Sequence, residues 1–229
     1  MSAAATALTG KSADRSSFWA SPIGKKAVMA VTGFVLFGFV IGHMVGNLQV
    51  YLGPEKLDAY AEFLQKTKGL LWGARSVLLA CVVLHVTAAF QLAGLQNKAR
   101  PQKYVKKTSA GSSYASRTMY WSGPILLAFI IYHLMHFTTG QAHPDFQPGM
   151  VYRNVVTGFQ SVPASLVYIV AMLMLGTHLY HGIWSMFQSV GINPPKYTPV
   201  FKKLAAVMAA VLVGGNVSIP VAVMTGLIR

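Results

Sequence analysis

Five long intervals of the chain are mostly apolar and contain no aspartate, glutamate, lysine or arginine. They are enclosed by Lys26 and Glu55, Arg75 and Lys98, Arg117 and Asp145, Arg153 and Lys196, and Lys203 and Arg229. A helix that crosses about 30 Å of hydrocarbon needs about 20 apolar residues, and each interval is long enough. We therefore expect transmembrane helices near residues 26–47, 70–95, 118–139, 162–188 and 203–227, which predicts an all-α integral membrane bundle.

The composition agrees with a membrane protein. Of 229 residues, 54% are hydrophobic and 10% are charged, whereas a soluble globular domain carries about 25% charged residues. The first interval is too long for the hydrophobic region of a signal peptide, and no small-x-small cleavage site follows it. We expect residues 21–229 to form a single transmembrane domain after a cytoplasmic tail, residues 1–20. With one cysteine, Cys81, the chain cannot ligate an iron–sulfur cluster of its own.

The basic residues predict the orientation of the bundle. They are concentrated before the first helix, after the second and around the start of the fifth: Lys11, Arg15, Lys25, Lys26, Lys98, Arg100, Lys103, Lys106, Lys107, Arg117, Lys196, Lys202 and Lys203. The positive-inside rule then places the N-terminus in the cytoplasm. The net charge of +14 indicates this topology together with anionic lipid, or a docking face for a soluble partner. Because the basic residues flank membrane helices, we expect no nucleic-acid partner.

Four of the five predicted helices carry a histidine inside the apolar run: His43, His85, His133 and His178. An intramembrane imidazole is costly and is a functional-site hypothesis by default. Counting from the cytoplasmic helix ends at 1.5 Å per residue, the four form two layers roughly 8–10 Å apart. His43 and His133 share the outer layer, and His85 and His178 share the inner one.

Paired imidazoles at one depth suggest haem. An iron with two axial histidines has no open coordination position, which suits electron transfer. The pattern predicts two b haems, one in each layer, and the alternative is histidines that bond carbonyls across helices. His136 and His181 lie three residues after His133 and His178 and share their faces. Depth selects His178 over His181 but does not choose between His133 and His136. We expect His143, beside Pro144, to be exposed to solvent.

Three stretches carry a family resemblance: SPIGKKAVMAVTGFVLFGFVIGHMVGNLQVY, YASRTMYWSGPILLAFIIYHLMHF and GTHLYHGIWSMFQSVGIN. They resemble the membrane cytochrome b subunit of bacterial succinate dehydrogenases and fumarate reductases, in its five-helix, two-haem form. The resemblance covers nearly the whole chain from Ser21. The more specific elements are H-x-x-x-N, from His43 to Asn47, and H-x-x-x-G-x-W, from His178 to Trp184.

The resemblance implies a ligand set and a set of partners. The iron ligands would be His43 and His133 for the outer haem, and His85 and His178 for the inner haem. A flavoprotein with FAD and an iron–sulfur protein would dock on the cytoplasmic face of the bacterial inner membrane. Succinate chemistry would occur in the flavoprotein, and this subunit would exchange electrons with menaquinone or ubiquinone. The chain would then be the membrane subunit of a succinate:quinone oxidoreductase.

The sequence offers several candidates for contacts to quinone or to haem propionates. At the outer end of the second helix these are Trp72 and Arg75. Near the inner end of the bundle, the candidates for the inner haem propionates are Ser21, Lys25, Arg117, Tyr120 and Trp121. His136 is a further candidate. An arginine fork suits a propionate or a quinone, but Arg75 is equally compatible with interfacial snorkelling. No acidic residue lies inside a predicted span, so Glu62 is the nearest acidic candidate for the outer quinone.

Two other functions fit the same residues. The chain would also suit a di-haem, quinone-reactive subunit of a hydrogenase, formate dehydrogenase or nitrate reductase, because the membrane chemistry is the same. A non-redox transporter with a histidine proton relay is the second alternative. The partner subunits and the presence of haem distinguish these functions from the main one.

Overall fold

The computed structural model describes residues 18–98 and 114–229, and this part of the chain is helical. Its α-helices are α1 Pro22–Asn47, α2 Pro54–Lys66, α3 Lys68–Lys98, α4 Tyr114–Phe137, α5 Val151–Gln160, α6 Val162–Ser189 and α7 Thr198–Met224. Short 3₁₀ turns occupy Phe18–Ala20, Leu48–Leu52 and Pro195–Tyr197. Five helices, α1, α3, α4, α6 and α7, are long and apolar enough to cross a membrane. The predicted five-helix membrane bundle is confirmed.

Local signals fix where α1 begins and where the chain turns after it. The Ser21 hydroxyl accepts a hydrogen bond from the backbone nitrogen of Gly24 at 2.9 Å, and Pro22 occupies the first turn, where its missing N–H costs nothing. After Leu52 the chain bends at Gly53, whose φ of 95° is open to glycine and strained for other residues. Pro54 then starts α2, so the turn is built from residue types that favour it.

The sequence analysis missed α2 and α5, which lie outside the membrane spans. Both are short and amphipathic, and each buries apolar side chains: Leu57 is 2% exposed on α2, and Phe159 is 5% exposed on α5. They pack on each other, and the Asp58 carboxylate accepts a hydrogen bond from the Tyr152 backbone nitrogen at 2.8 Å. Together they cover one end of the bundle, which we call the capped end.

The opposite end, which we call the basic end, carries the lysines and arginines at the start of α1, the end of α3, the start of α4 and the start of α7. Part of the expected basic loop, from Arg100 to Lys107, lies outside the described residues, as does nearly all of the predicted tail, residues 1–20. Helix α4 begins four residues earlier than expected, and α7 begins five residues earlier. Helix α7 includes Lys202 and Lys203 within its first turns.

The membrane helices pack as two groups. In one, α1 lies on α3; in the other, α4 and α7 lie on α6, and α1 also contacts α6. Small residues permit the closest approaches, as is usual in membrane bundles. A Cβ on Gly176 of α6 would meet Val213 Cγ2 of α7 at 2.6 Å, and one on Gly215 would meet Met44 Sδ of α1 at 2.5 Å. By contrast, α3 buries only Ala88 and Leu92, so most of its surface is available to lipid.

Candidate functional site

The structure brings the four intramembrane histidines together in two pairs. The ring centroids of His43 on α1 and His133 on α4 are 5.7 Å apart. Those of His85 on α3 and His178 on α6 are 6.4 Å apart. Each pair joins a helix of the α1–α3 group to a helix of the α4–α6–α7 group. These are the same two pairs that the depth argument predicts, and their role as iron ligands stays a prediction.

A hydroxyl from a neighbouring helix orients His85. Thr32 Oγ1 lies 3.1 Å from His85 Nδ1 and also donates to the Val28 carbonyl at 2.7 Å. Because the hydroxyl has one proton and gives it to Val28, it accepts from His85 Nδ1–H. His85 Nε2 therefore carries the free lone pair that a metal needs. The ring also lies close to the α1 backbone, since a Cβ on Gly33 would be 3.3 Å from His85 Cε1.

His178 and His133 make the same kind of contact. Ser122 Oγ of α4 is 3.4 Å from His178 Nδ1, and Tyr168 Oη of α6 is 3.1 Å from His133 Nδ1. Ser122 is fully buried and Tyr168 is 6% exposed. In both pairs, then, an imidazole is held at Nδ1 by an oxygen from another helix.

His43 differs from the other three. Its Nε2 lies 3.2 Å from the Asn47 amide nitrogen one turn further along α1, and Phe39 stacks on its ring at 5.3 Å. Since the amide nitrogen is a donor, His43 Nε2 accepts here. Metal ligation through this nitrogen requires the Asn47 contact to give way.

Two imidazoles that face each other suit a prosthetic group that itself supplies most of the ligands of its metal ion. Within residues 18–98 and 114–229, no three His, Cys, Asp or Glu side chains are grouped to hold a metal ion. A haem iron takes its in-plane ligands from the porphyrin and needs axial ligands only from the protein. Two metal–nitrogen bonds of about 2 Å each fit between rings whose centroids are 6.4 Å apart. The spacing of the His85–His178 pair is compatible with two axial bonds to one iron, whereas in the His43–His133 pair the Asn47 contact would first have to give way.

A third group of polar side chains lies at the capped end. His136 is 1% exposed, its Nδ1 is 3.1 Å from Tyr168 Oη, and its Nε2 has no hydrogen-bond partner among the described residues. The ring of His143 is 5.1 Å away. The expectation that His143 is exposed was wrong: it is 8% exposed, and its Nε2 donates to the Asn154 carbonyl at 2.8 Å. Helix α5 buries it, and α5 was not predicted.

A fourth group lies at the basic end, one turn beyond His178. His181 Nδ1 and Trp184 Nε1 are buried without a partner among the described residues, and their rings are 5.6 Å apart. The Lys202 ammonium lies 5.1 Å from the Trp184 ring centroid. Sequence reasoning singled out His181 but not Lys202, whose contact depends on the packing of α7 against α6.

Comparison with known protein families identifies the kind of subunit. The family described as succinate dehydrogenase/fumarate reductase transmembrane subunit matches residues 96–215, more than half of the chain. The chain belongs to this family. No curated protein and no solved structure gives a significant match. As a transmembrane subunit of succinate dehydrogenase/fumarate reductase, the chain is part of an electron-transporting enzyme complex. The matched range includes His133 and His178 but neither His43 nor His85.

Several predicted contact residues of this transmembrane subunit have other partners. Arg75 is exposed and stacks on Trp72, with its guanidinium 5.2 Å from the ring centroid, which is the contact expected of interfacial snorkelling. Lys25 is 7% exposed, donates to the Trp19 carbonyl and lies over the Trp19 ring at 5.5 Å. Trp121 is 74% exposed.

The acidic candidate Glu62 lies on the surface of α2, outside the spans. Its carboxylate pairs with Lys66 at 2.7 Å. The hydrogen bond from Lys66, and then its charge, hold the pKa of Glu62 below its usual value. Glu62 is therefore ionised at neutral pH and is a poor proton donor for a quinone.

Proposed function

We propose that this subunit carries electrons across the membrane between an iron–sulfur protein at its basic end and a quinone, through two b haems. The observation that supports this most strongly is the pairing of four intramembrane histidines across two helix groups. Family membership favours succinate dehydrogenase or fumarate reductase over the other respiratory dehydrogenases and over a transporter.

In this proposal each histidine pair holds one haem. His85 and His178 are the ligands nearer the basic end, and His43 and His133 are those nearer the capped end. A haem bound by two imidazoles supplies reversible one-electron transfer with no position open to substrate. Thr32, Ser122 and Tyr168 fix the ring orientations through Nδ1, which leaves Nε2 for the iron. Asn47 would release His43 Nε2 when this nitrogen binds the iron.

The basic end would face the cytoplasm, and the capped end would face outwards. The lysines and arginines of the basic end support this by the positive-inside rule, in a bacterial inner membrane. The soluble partners, a flavoprotein with FAD and an iron–sulfur protein, would dock on the basic end, where lysines offer complementary charge to acidic surfaces.

The deciding experiment is a reduced-minus-oxidised spectrum and haem assay of the purified complex. We expect two b haems per copy of this chain. His43→Ala and His133→Ala should lose the same haem, whereas His85→Ala and His178→Ala should lose the other. His181→Ala, one turn from His178 on the same helix, is the matched control and should retain both. An intact complex without haem would refute the proposal, and loss of one haem from both the His43 and His85 variants would refute the pairing.

A further inference from the structure

One face of α3 carries two cations and a tryptophan near the capped end. Trp72 and Arg75 lie four and seven residues after Lys68, so at about 100° per residue the three lie within about 60° of one another around the helix axis. All three side chains are exposed, Trp72 at 62%. Leu79 and Val83 continue the same face and are 67% and 54% exposed. We call these five residues the cationic stripe.

The cationic stripe points away from the rest of the bundle. Helix α3 packs mainly on α1, and the residues that it buries are Ala88 and Leu92. Counted around the helix axis, Arg75 lies about 140° from Ala88 and about 100° from Leu92. Because α3 is one of the five spans, the exposed stripe meets the lipid of the leaflet at the capped end.

The polar groups of the stripe have no acceptor among the residues that the structure describes. Neither Lys68 nor Arg75 forms an ion pair there, and the acid closest in sequence, Glu62, is paired with Lys66. The Arg75 guanidinium stacks on Trp72 at 5.2 Å, a contact that leaves its N–H groups free. The indole N–H of Trp72 is a further donor. The stripe therefore presents several donors and two positive charges to the lipid.

The order of residue types along the stripe follows the depth of the membrane. Helical side chains lean towards the N-terminus, which for α3 is the capped end, so Arg75 reaches back over Trp72. Tryptophan is typical of the level of the lipid headgroups. The Cα atom of Lys68 lies about 10 Å nearer the capped end than that of Arg75. Leu79 and Val83 lie deeper, where the acyl chains are.

We propose that the cationic stripe binds an anionic phospholipid in the leaflet at the capped end. The phosphate accepts hydrogen bonds from the Arg75 guanidinium, whose fork suits a phosphate, and lies near the Lys68 ammonium. One acyl chain lies along Leu79 and Val83. Two cations without a paired acid favour a headgroup of net negative charge, such as phosphatidylglycerol, over zwitterionic phosphatidylcholine. The stripe includes none of the paired histidines, so this inference is independent of the proposed function.

The test uses the purified complex in phosphatidylcholine nanodiscs that contain a small fraction of photoreactive phosphatidylglycerol, with a diazirine near the top of one acyl chain. We expect cross-links on peptides of residues 68–83. Arg75→Gln removes the charge and should reduce this cross-linking about fivefold, the factor expected for one cation at an anionic membrane surface. Lys56→Gln is the matched control, because it removes an exposed cation of the capped end that lies outside the stripe. It should cross-link as the unmodified complex does.

The same diazirine on phosphatidylcholine tests the role of the headgroup charge. It should label residues 68–83 several-fold less than the phosphatidylglycerol probe does, and equally in the Arg75→Gln and unmodified complexes. Arg75→Lys restores the charge without the fork and should recover part of the phosphatidylglycerol cross-linking. Because the stripe is exposed, all these variants should assemble with the soluble subunits as the unmodified chain does.

Three results would overturn the lipid site. These are phosphatidylglycerol cross-links mainly on other helices, equal cross-linking of residues 68–83 in the Arg75→Gln and Lys56→Gln complexes, and equal labelling of this segment by the two lipids. A second copy of the chain on the stripe would also overturn it, and would appear as an unlabelled α3 in a dimer that Arg75→Gln dissociates. Failure of the proposed function is distinguishable, because missing haem leaves the cross-linking pattern unchanged.

Discussion

At the scale of single residues, hydroxyl groups orient three of the four paired imidazoles. Thr32 contacts His85, Ser122 contacts His178, and Tyr168 contacts His133, each at Nδ1. Such a hydrogen bond fixes the ring and makes the imidazole a stronger donor to a metal. The three oxygens therefore orient the paired rings, and in the proposed di-haem subunit they would tune the iron without contacting it.

If His85 ligates a haem as proposed, Thr32→Val should raise the reduction potential of that haem. The variant keeps the shape of the side chain but removes the hydroxyl that accepts from His85 Nδ1–H, so the ligand would donate less charge to the oxidised iron. A net hydrogen bond of about 1 kcal/mol corresponds to a shift of up to about 40 mV for a one-electron couple. Redox titration of the two haem spectra measures it.

Ser218→Ala is the control for this titration. Its hydroxyl also bonds within a membrane helix, to the Gly215 carbonyl at 2.8 Å, but α7 carries none of the four histidines. It should leave both potentials unchanged. An equal shift in both variants, or a shift of the other haem alone, would contradict the role of Thr32.

The sequence was sufficient to find the four histidines but not their hydroxyl partners. An imidazole in an apolar run is conspicuous because burial there is costly. Ser and Thr are ordinary in membrane helices, and they usually bond to their own backbone. Thr32 and His85 are 53 residues apart, and Ser122 and His178 are 56 apart. Only the packing of the helices brings them together.

At the scale of the elements, two short helices hold the capped end closed. Asp58 of α2 accepts from the Tyr152 backbone nitrogen in the first turn of α5, where a helix has unpaired N–H groups and favours negative charge. The segment between α4 and α5 is held in turn by Asn154, which bonds the Gln147 backbone through both amide atoms at 2.9 and 2.8 Å.

Asp58→Ala should loosen α5. It removes an N-terminal helix contact, which costs about 1 kcal/mol, and leaves the Tyr152 N–H unpaired. Hydrogen exchange at residues 151–154 should be roughly fivefold faster, while exchange in the middle of α6 stays the same. Asp58→Asn retains an oxygen acceptor and should leave these exchange rates nearly unchanged. Equal effects of the two substitutions would argue against the cap.

The segment before α5 should loosen in acid. Arg153, followed by Gln147, donates hydrogen bonds to the Asp145 carboxylate, and these with the Arg153 charge hold the pKa of Asp145 below its ordinary 3.8. Because the pKa is lower in the folded state, the stabilisation is present above pH 3.8 and is lost as the pH falls through the folded value. Amide protection factors of residues 140–147 should fall in that range.

Arg153→Gln provides the comparison for the acid effect. Without the guanidinium, these amides should already be less protected at neutral pH and should change little on acidification. Full protection in this variant at neutral pH would show that the ion pair does not hold the segment.

Element prediction succeeded for the membrane spans and failed for the cap. A span of about 20 apolar residues is visible in any hydropathy analysis, and Pro22–Asn47 and Val162–Ser189 begin and end within a few residues of expectation. The segment Pro54–Lys66 contains charges on one face and apolar residues such as Leu57 on the other, and its helix packs on α5, on the Leu48–Leu52 turn and on α3. The burial of His143 could not be predicted without these two helices.

At the scale of the whole molecule, α7 packs against two of the helices that carry the paired histidines. It carries none of the four histidines but packs on α6 and contacts α1 beside His43, where Gly215 lies against Met44. The absence of a side chain at Gly215 therefore leaves room for the Met44 side chain of α1.

Gly215→Val should destabilise the complex and disturb the His43 site. A Cβ there meets Met44 Sδ at 2.5 Å, and overpacking of this kind costs about 1–3 kcal/mol. Gly214→Val is a close control, because a Cβ on Gly214 meets nothing within 4 Å. Thermal unfolding and the haem spectrum should change in the first variant and not in the second. If the two variants give the same unfolding temperature and the same haem spectrum, the α1–α7 contact accommodates a side chain at position 215.

The pairing of histidines across two helix groups has a consequence for biogenesis. Helices α1 and α3 can enter the membrane and pack on each other before α6 and α7, which α1 also contacts, are synthesised. The second group follows after the α3–α4 connection, and the imidazoles of the two groups meet only then. In the proposed di-haem subunit, haem would be bound only at this stage, because each pair takes one histidine from either helix group.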